Sequence, residues 1–213
     1  WLDFDNDRDV DMFIAKCGGE SERRDNEMHV NNGDGTFTES GASLNLEDDM
    51  QTWSSAWADY DNDGDLDGWI GASTFNSGFH RLMRNNGNGT FTDVISASGL
   101  TQFNVTSIEN QTYDFDNDGN ADIVSGGFIL YGNGDLTFTT SNTNIGNGGF
   151  GDINEDGFVD AISNGQLIIN NTNNNNWLKI NTVGVESNVG GIGARVELTT
   201  ASGTQIREVR SGE

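Results

Sequence analysis

The hydrophobic positions of this chain come in short bursts. Four stand out: "MFIA" at 12–15, "GWIGA" at 68–72, "IVSGG" at 123–127 and "AISNG" at 161–165. None sits in a sustained helical period, and Gly, Asn and Asp bound them, so they read as strands. A further strand follows, as in "HRLMR" at 80–84, then an Asn-Gly turn, then "TFTDV" at 90–94. Asn-Gly and Asp-Gly signal tight hairpins, whose two turn residues both take positive φ. In "WSSAWAD" at 53–59, alternation puts Trp53, Ser55 and Trp57 on one face. Ser54, Ala56 and Ala58 fall on the other, a small face that suits a crowded inner strand.

Ahead of each burst stands an acidic nonamer. "DFDNDRDVD" begins at Asp3, "DYDNDGDLD" at Asp59, "DFDNDGNAD" at Asp114 and "DINEDGFVD" at Asp152. All fit D-x-[DN]-x-D-x-x-x-D, and successive copies begin 56, 55 and 38 residues apart. A second motif trails the first three: "NNGDGTFTES" at 31–40, "NNGNGTFTDV" at 85–94 and the looser "YGNGDLTFTT" at 131–140. Repeats of ~40–55 residues with three or four short strands each suggest propeller blades. The expected fold is all-β, a partial β-propeller followed by a small β module. Trp1-Leu2 stands where Trp57-Ala58 and Thr112-Tyr113 stand later, so the chain opens inside a repeat and further blades are expected upstream.

Composition changes the picture in two ways. Net charge is −24 with only 33% hydrophobic residues, a combination that leans toward disorder. Five Trp, twelve Phe and the regular punctuation argue for a folded chain instead. The acidity excludes nucleic acid and anionic membranes as partners, because phosphates would be repelled. No apolar run approaches the ~20 residues of a spanning helix, so no membrane insertion is expected. A single cysteine, Cys17, permits neither an internal disulfide nor a cysteine zinc cluster.

So many carboxylates in nine residues call for a cation. Oxygen ligands at alternating places with glycine at the sixth are calcium chemistry, since Ca2+ takes six to eight oxygens at about 2.3–2.6 Å. The expected side-chain ligands are Asp59, Asp61, Asp63 and Asp67, with Asp65 giving its backbone carbonyl and Gly64 permitting the sharp turn. The corresponding sets are Asp3, Asp5, Asp7, Asp9 and Asp11; Asp114, Asp116, Asp118, Asn120 and Asp122; and Asp152, Asn154, Asp156, Phe158 and Asp160. Up to four calcium ions are implied. An EF-hand would need a bidentate Glu at place twelve, where Ile14, Ile70, Ser125 and Ser163 stand. Magnesium prefers fewer carboxylates and retained waters. Paired catalytic carboxylates fit four near-copies poorly. The first loop carries Arg8 at the glycine place, at a backbone cost on the order of 1 kcal/mol, and is expected to be the weakest. In the fourth, Asn154 removes one charge.

The loops and their "N-x-G-x-F" turns resemble the FG-GAP/VCBS repeats of integrin-like β-propellers, over residues 1 to about 170. The tail resembles the ASPIC/UnbV module, carried by Trp177-Leu178, Ser187-Asn188, Gly191-Ile192-Gly193-Ala194-Arg195 and the stretch from Arg207 to Gly212. The domains implied are 1–172 and 173–213. Composition marks the same boundary: residues 1–176 hold 30 acids and 6 bases, residues 177–213 four of each. The tail alternates as strands in "WLKINTV" and "ARVELTT", and Arg195 could pair with an acidic loop or lie in solvent. The resemblance implies a secreted, calcium-binding, non-catalytic module for adhesion or protein interaction, with a protein or glycan partner at the cell surface or matrix. A carbohydrate-binding domain or accessory domain of a polysaccharide-acting enzyme, and a structural subunit of a surface fibre, are the alternatives.

The remaining chemistry is sparse. His29 and His80 each sit in an expected strand, without a nucleophile beside them. Cys17 is expected to be buried. Trp53, Trp57 and Trp69 are expected to pack between sheets. Sequons occur at Asn88, Asn104, Asn110 and Asn170.

Overall fold

The computed structural model describes residues 1–20, 23–76, 78–171, 175–185, 188–201 and 203–210. Its strands are β1 (Met12–Ile14), β2 (Glu27–Asn31), β3 (Phe37–Glu39), β4 (Thr52–Ala58), β5 (Asp67–Ala72), β6 (Arg81–Asn85), β7 (Phe91–Asp93), β8 (Asn110–Tyr113), β9 (Asp122–Ser125), β10 (Phe128–Gly132), β11 (Phe138–Thr140), β12 (Gly148–Gly151), β13 (Asp160–Ser163), β14 (Gln166–Ile168), β15 (Arg195–Thr200) and β16 (Gly203–Glu208). One short helix, α1 (Gly41–Leu44), follows the first sheet. Four antiparallel meanders run in chain order, β1-β2-β3, β4-β5-β6-β7, β8-β9-β10-β11 and β12-β13-β14, and β15-β16 form a separate hairpin. The fold is all-β, and no closed barrel forms among the described residues. Leu2 bridges Asp11 as Ala58 pairs with Asp67, so the first sheet keeps a remnant of an inner strand.

Successive sheets share cores. Leu2, Phe4 and Met28 of the first repeat pack with Trp57, Ile70 and Met83 of the second. The other face of the second sheet supplies Ala56, Trp69 and Leu82 against Ile123 and Leu130 of the third. Phe115, Val124 and Ile129 then meet Phe150 and Val159. Large and small residues alternate across the second sheet. Trp57 pairs with Gly68 and Ala56 with Trp69, and the Trp57 ring leaves no room for a side chain at Gly68. Burying a Trp this completely is worth several kcal/mol, since truncation of a core Trp costs about 3–5 kcal/mol.

Several expectations need correction. Trp53 is 43% exposed, because a bulge between Thr52 and Ser54 breaks the alternation that would carry it inward. Cys17 is exposed, its Sγ 3.3 Å from Ser73 Oγ. "WLKINTV" forms no strand and leaves Leu178 and Val183 exposed, while "ARVELTT" pairs with the unforeseen β16. Asn164-Gly165 forms the expected two-residue turn between β13 and β14, whereas the Asn-Gly turns after β2 and β6 are longer, since Asn32 N donates to Thr36 O and Asn86 N to Thr90 O. Positive φ falls on alternate residues, Gly33 and Gly35, Gly87 and Gly89. His29 lies in β2, but His80 lies just before β6. Of the residues behind the tail's resemblance, Ser187, Ser211 and Gly212 lie outside the described set, as does the domain boundary at 172–173.

Candidate metal centres

The last three acidic loops each join the first strand of a sheet to its second, and the first loop runs from the Leu2 bridge to β1, so the four loops lie at one end of the sheets. Their backbones repeat. The fourth residue is left-handed in all four, and so is the sixth, with φ 77° at Arg8, 99° at Gly64, 99° at Gly119 and 88° at Gly157. Arg8 therefore adopts the glycine conformation at the expected place, with its side chain exposed. The coil is held by its own carboxylates. Asp59 accepts from Asp63 N and Gly64 N, and Asp114 accepts from Asp118 N and Gly119 N. Asp3 and Asp152 repeat the pattern.

The ninth residue ties the loop to the sheet. Asp67 Oδ2 accepts from Tyr60 N at 3.0 Å and Oδ1 from Asn85 N at 2.8 Å. Asp11 receives Phe4 and Asn31, Asp122 receives Phe115 and Gly132, and Asp160 receives Ile153 and Asn170. All four of these aspartates are buried. The turn motif belongs to the same construction: Gly87 lies against Asp65, with a carboxylate oxygen where a side chain would begin. Gly134 packs as closely on Asn120 and Asn62.

Three loops bring three carboxylates together. In each of Asp3, Asp5 and Asp11; Asp59, Asp61 and Asp67; and Asp114, Asp116 and Asp122, one oxygen per residue lies within 4.8 Å of the others. The fifth-place Asp7, Asp63 and Asp118 are outside these trios and accept the N–H of the seventh residue instead. Asp156 does the same for Phe158 N, and Asn154 leaves the fourth loop with two carboxylates at the trio places. Burial pushes Asp67 and Asp122 up to about 8, with neighbouring carboxylates adding to the shift and backbone N–H groups opposing it. Burial likewise raises Asp11 to about 7 and Asp59 to about 6. Asp114 reaches about 6 by burial, against the pull of Arg207. Oxygen-only donors, gathered and held partly out of water, suit a hard divalent cation.

A family described as FG-GAP-like repeat matches residues 3–68 and 70–125, more than half of the chain. The chain belongs to the FG-GAP-like repeat family. The matched stretches hold the three loops whose carboxylates converge, while the fourth loop and the tail lie outside them. No curated protein matches the chain.

The tail of this FG-GAP protein lies on the loop face. Arg195 reaches Asn6 Oδ1 in the first loop and donates to Gly64 O in the second at 2.8 Å. Arg207 stands 3.6 Å from Asp114 Oδ2, and Asn175 donates to Asp116 O at 3.0 Å. Trp177 covers Gly157, and Ile206 enters the first core. Between tail and loops runs a partly open cleft of about 900 Å³, lined by Tyr113, Asp114, Trp177 and Arg207 among others.

The other singled-out side chains have local partners. His29 Nε2 is 3.0 Å from Glu27 Oε2. His80 stacks on Trp69, accepts from Ala72 N at Nδ1 and is held neutral by burial, which lowers it to about 4. Asn110 and Asn170 are committed inside the fold, to Trp69 Nε1 and Phe115 O respectively, whereas Asn88 and Asn104 are exposed.

Proposed function

We propose that the first three acidic loops bind calcium and that the chain serves outside the cell as a non-catalytic interaction module. The observation that carries this reading is the convergence of three carboxylates in each of those loops. Asp59, Asp61 and Asp67 would hold the ion through carboxylate oxygens, with Asp63 and the Asp65 carbonyl completing the shell. The first and third loops would use their equivalents. The fourth, with Asp152, Asn154 and Asp160, would bind more weakly. Extracellular calcium modules work in the 10⁻⁴–10⁻³ M range, which favours a secreted or surface setting. The tail, read as an ASPIC/UnbV-like module, rests against the loops, and a surface protein or glycan is the expected partner. Isothermal titration with calcium and with magnesium tests the reading. Three or more calcium ions per chain, with magnesium clearly weaker, would support it; no calcium uptake at millimolar concentration would refute it.

A further inference from the structure

The fourth residue of each acidic loop sits between two expected ligands and takes a left-handed backbone, with φ 63° at Asn6, 58° at Asn62, 50° at Asn117 and 61° at Glu155. Asn tolerates that conformation better than most residues. In three loops its side chain also leaves its own loop. Asn6 Nδ2 donates to Asp65 Oδ1 at 2.7 Å, Asn62 Nδ2 to Asn120 Oδ1 at 2.9 Å and Asn117 Nδ2 to Gly157 O at 3.0 Å. The acceptors are the seventh, seventh and sixth residues of the next loop along the chain. In the third loop the connection runs inward, since Asn120 donates its side-chain N–H to Asp118 Oδ2 at 2.9 Å and its backbone N–H to Oδ1 at 2.8 Å.

We propose that the acidic loops take up divalent cations cooperatively, each loop coupled to the next through Asn6, Asn62 and Asn117. The proposal rests on the calcium reading above. A loop that closes on an ion fixes its third- and fifth-place residues. The fourth residue lies between them, so its direction is fixed as well. Its amide then holds the seventh residue of the next loop, where a ligand carbonyl is expected, or in the third link the sixth residue beside it. That loop has less to order when its own ion arrives. Repulsion between neighbouring ions opposes the effect and is screened by the carboxylates around each ion. The second loop carries five aspartates and the third carries four, and the ordering gain has to exceed the repulsion that remains for uptake to be cooperative. Arg195 reinforces the first link by gripping Asn6 Oδ1 and Gly64 O together. The fourth loop ends the series with Glu155, which is exposed. Coupling of this kind must be reciprocal, and typical values span about 5–150-fold.

The test follows the Gly119 amide by NMR during calcium titration, as a reporter of the third loop. Asp61→Ala disables the second loop, and Asn62→Gly removes the linking side chain while keeping a left-handed backbone accessible. Asp61→Ala should weaken the third loop about fivefold in the parent and leave it unchanged in the Asn62→Gly background. Glu155→Gly, at the same place in the last loop, should not alter the third loop. Asp61→Asn replaces Asp61→Ala if the latter does not fold. Third-loop affinity that is indifferent to Asp61, or equally dependent on it without Asn62, would overturn the coupling. A Gly119 amide that never responds to calcium would instead refute the calcium reading itself.

Discussion

The second and fourth acidic loops share a backbone and differ in charge. Both are left-handed at the fourth and sixth places, and both end in a buried aspartate that accepts two backbone N–H groups. Only the second gathers three carboxylates, because Asn154 stands where Asp61 stands. Folding the loop and charging it are therefore separate tasks. The ninth aspartate and the turn conformation hold the loop, and the third-place residue sets how much negative charge faces the ion. A loop can lose the second property and keep the first.

The sharpest way to separate the two tasks is at the ninth place. Asp67→Ala strands the buried N–H groups of Tyr60 and Asn85, at about 1–3 kcal/mol each. Tm should fall by on the order of 10 °C, in chelator as well as in calcium. Asp160→Ala should cost less, because Ile153 is 45% exposed and its N–H is closer to water. A fall seen only in calcium would mean that Asp67 is a ligand and not a support.

The pH dependence separates loops with and without an ion. In chelator, the raised carboxylates of Asp67, Asp122 and Asp11 bind protons in the folded chain that the unfolded chain has released. Their stabilising contribution is complete below the ordinary carboxylate range, near pH 4, and is lost as pH rises through about 7–8. Thermal melts in EGTA should therefore show higher Tm at pH 5.5 than at pH 8.5. In saturating calcium the order should reverse, since protons compete with the ion. Parallel curves in the two buffers would remove these carboxylates from the ion's shell.

Charge alone is tested by exchange at the third place. Asn154→Asp gives the fourth loop its missing carboxylate, and its calcium affinity should rise about tenfold, a change of roughly 1.4 kcal/mol. Asp61→Ala should lose more bound calcium than Asp5→Ala, because the first loop carries Arg8. Equal losses in titration would show that Arg8 does not weaken that site. The smallest effect belongs to Arg8→Gly, which relieves a left-handed residue worth on the order of 1 kcal/mol. Its guanidinium is exposed, so its charge adds little. A Tm that falls on this substitution would mean that the arginine holds the loop by contacts of its own.

The repeated part was legible because its signals are local. Four acidic nonamers, their spacing and the strands behind them can be read from residue types alone, and the left-handed sixth place follows from glycine. The tail was harder. "WLKINTV" has the alternation of a strand, but alternation shows that a strand could form and not that an edge is free to receive it. β12 is "GGFG", with no apolar period to announce it. Alternation alone would bury Trp53, but a bulge shifts phase without a mark in the sequence. The links made by Asn6, Asn62 and Asn117 are not legible in the sequence, although Asn recurs at that place in three loops. Which loop each amide would reach depends on how the sheets sit side by side.

Calcium-dependent melting tests the metal reading most directly. An ion bound only to the folded chain stabilises by about 2.7 kcal/mol per site at a hundredfold excess over Kd, and three such sites rival the stability of a whole domain. Differential scanning calorimetry should show Tm in EGTA lower than in millimolar calcium by more than ~10 °C, with magnesium restoring only a small part. Identical melts in EGTA and calcium would contradict the assignment of these loops as calcium sites.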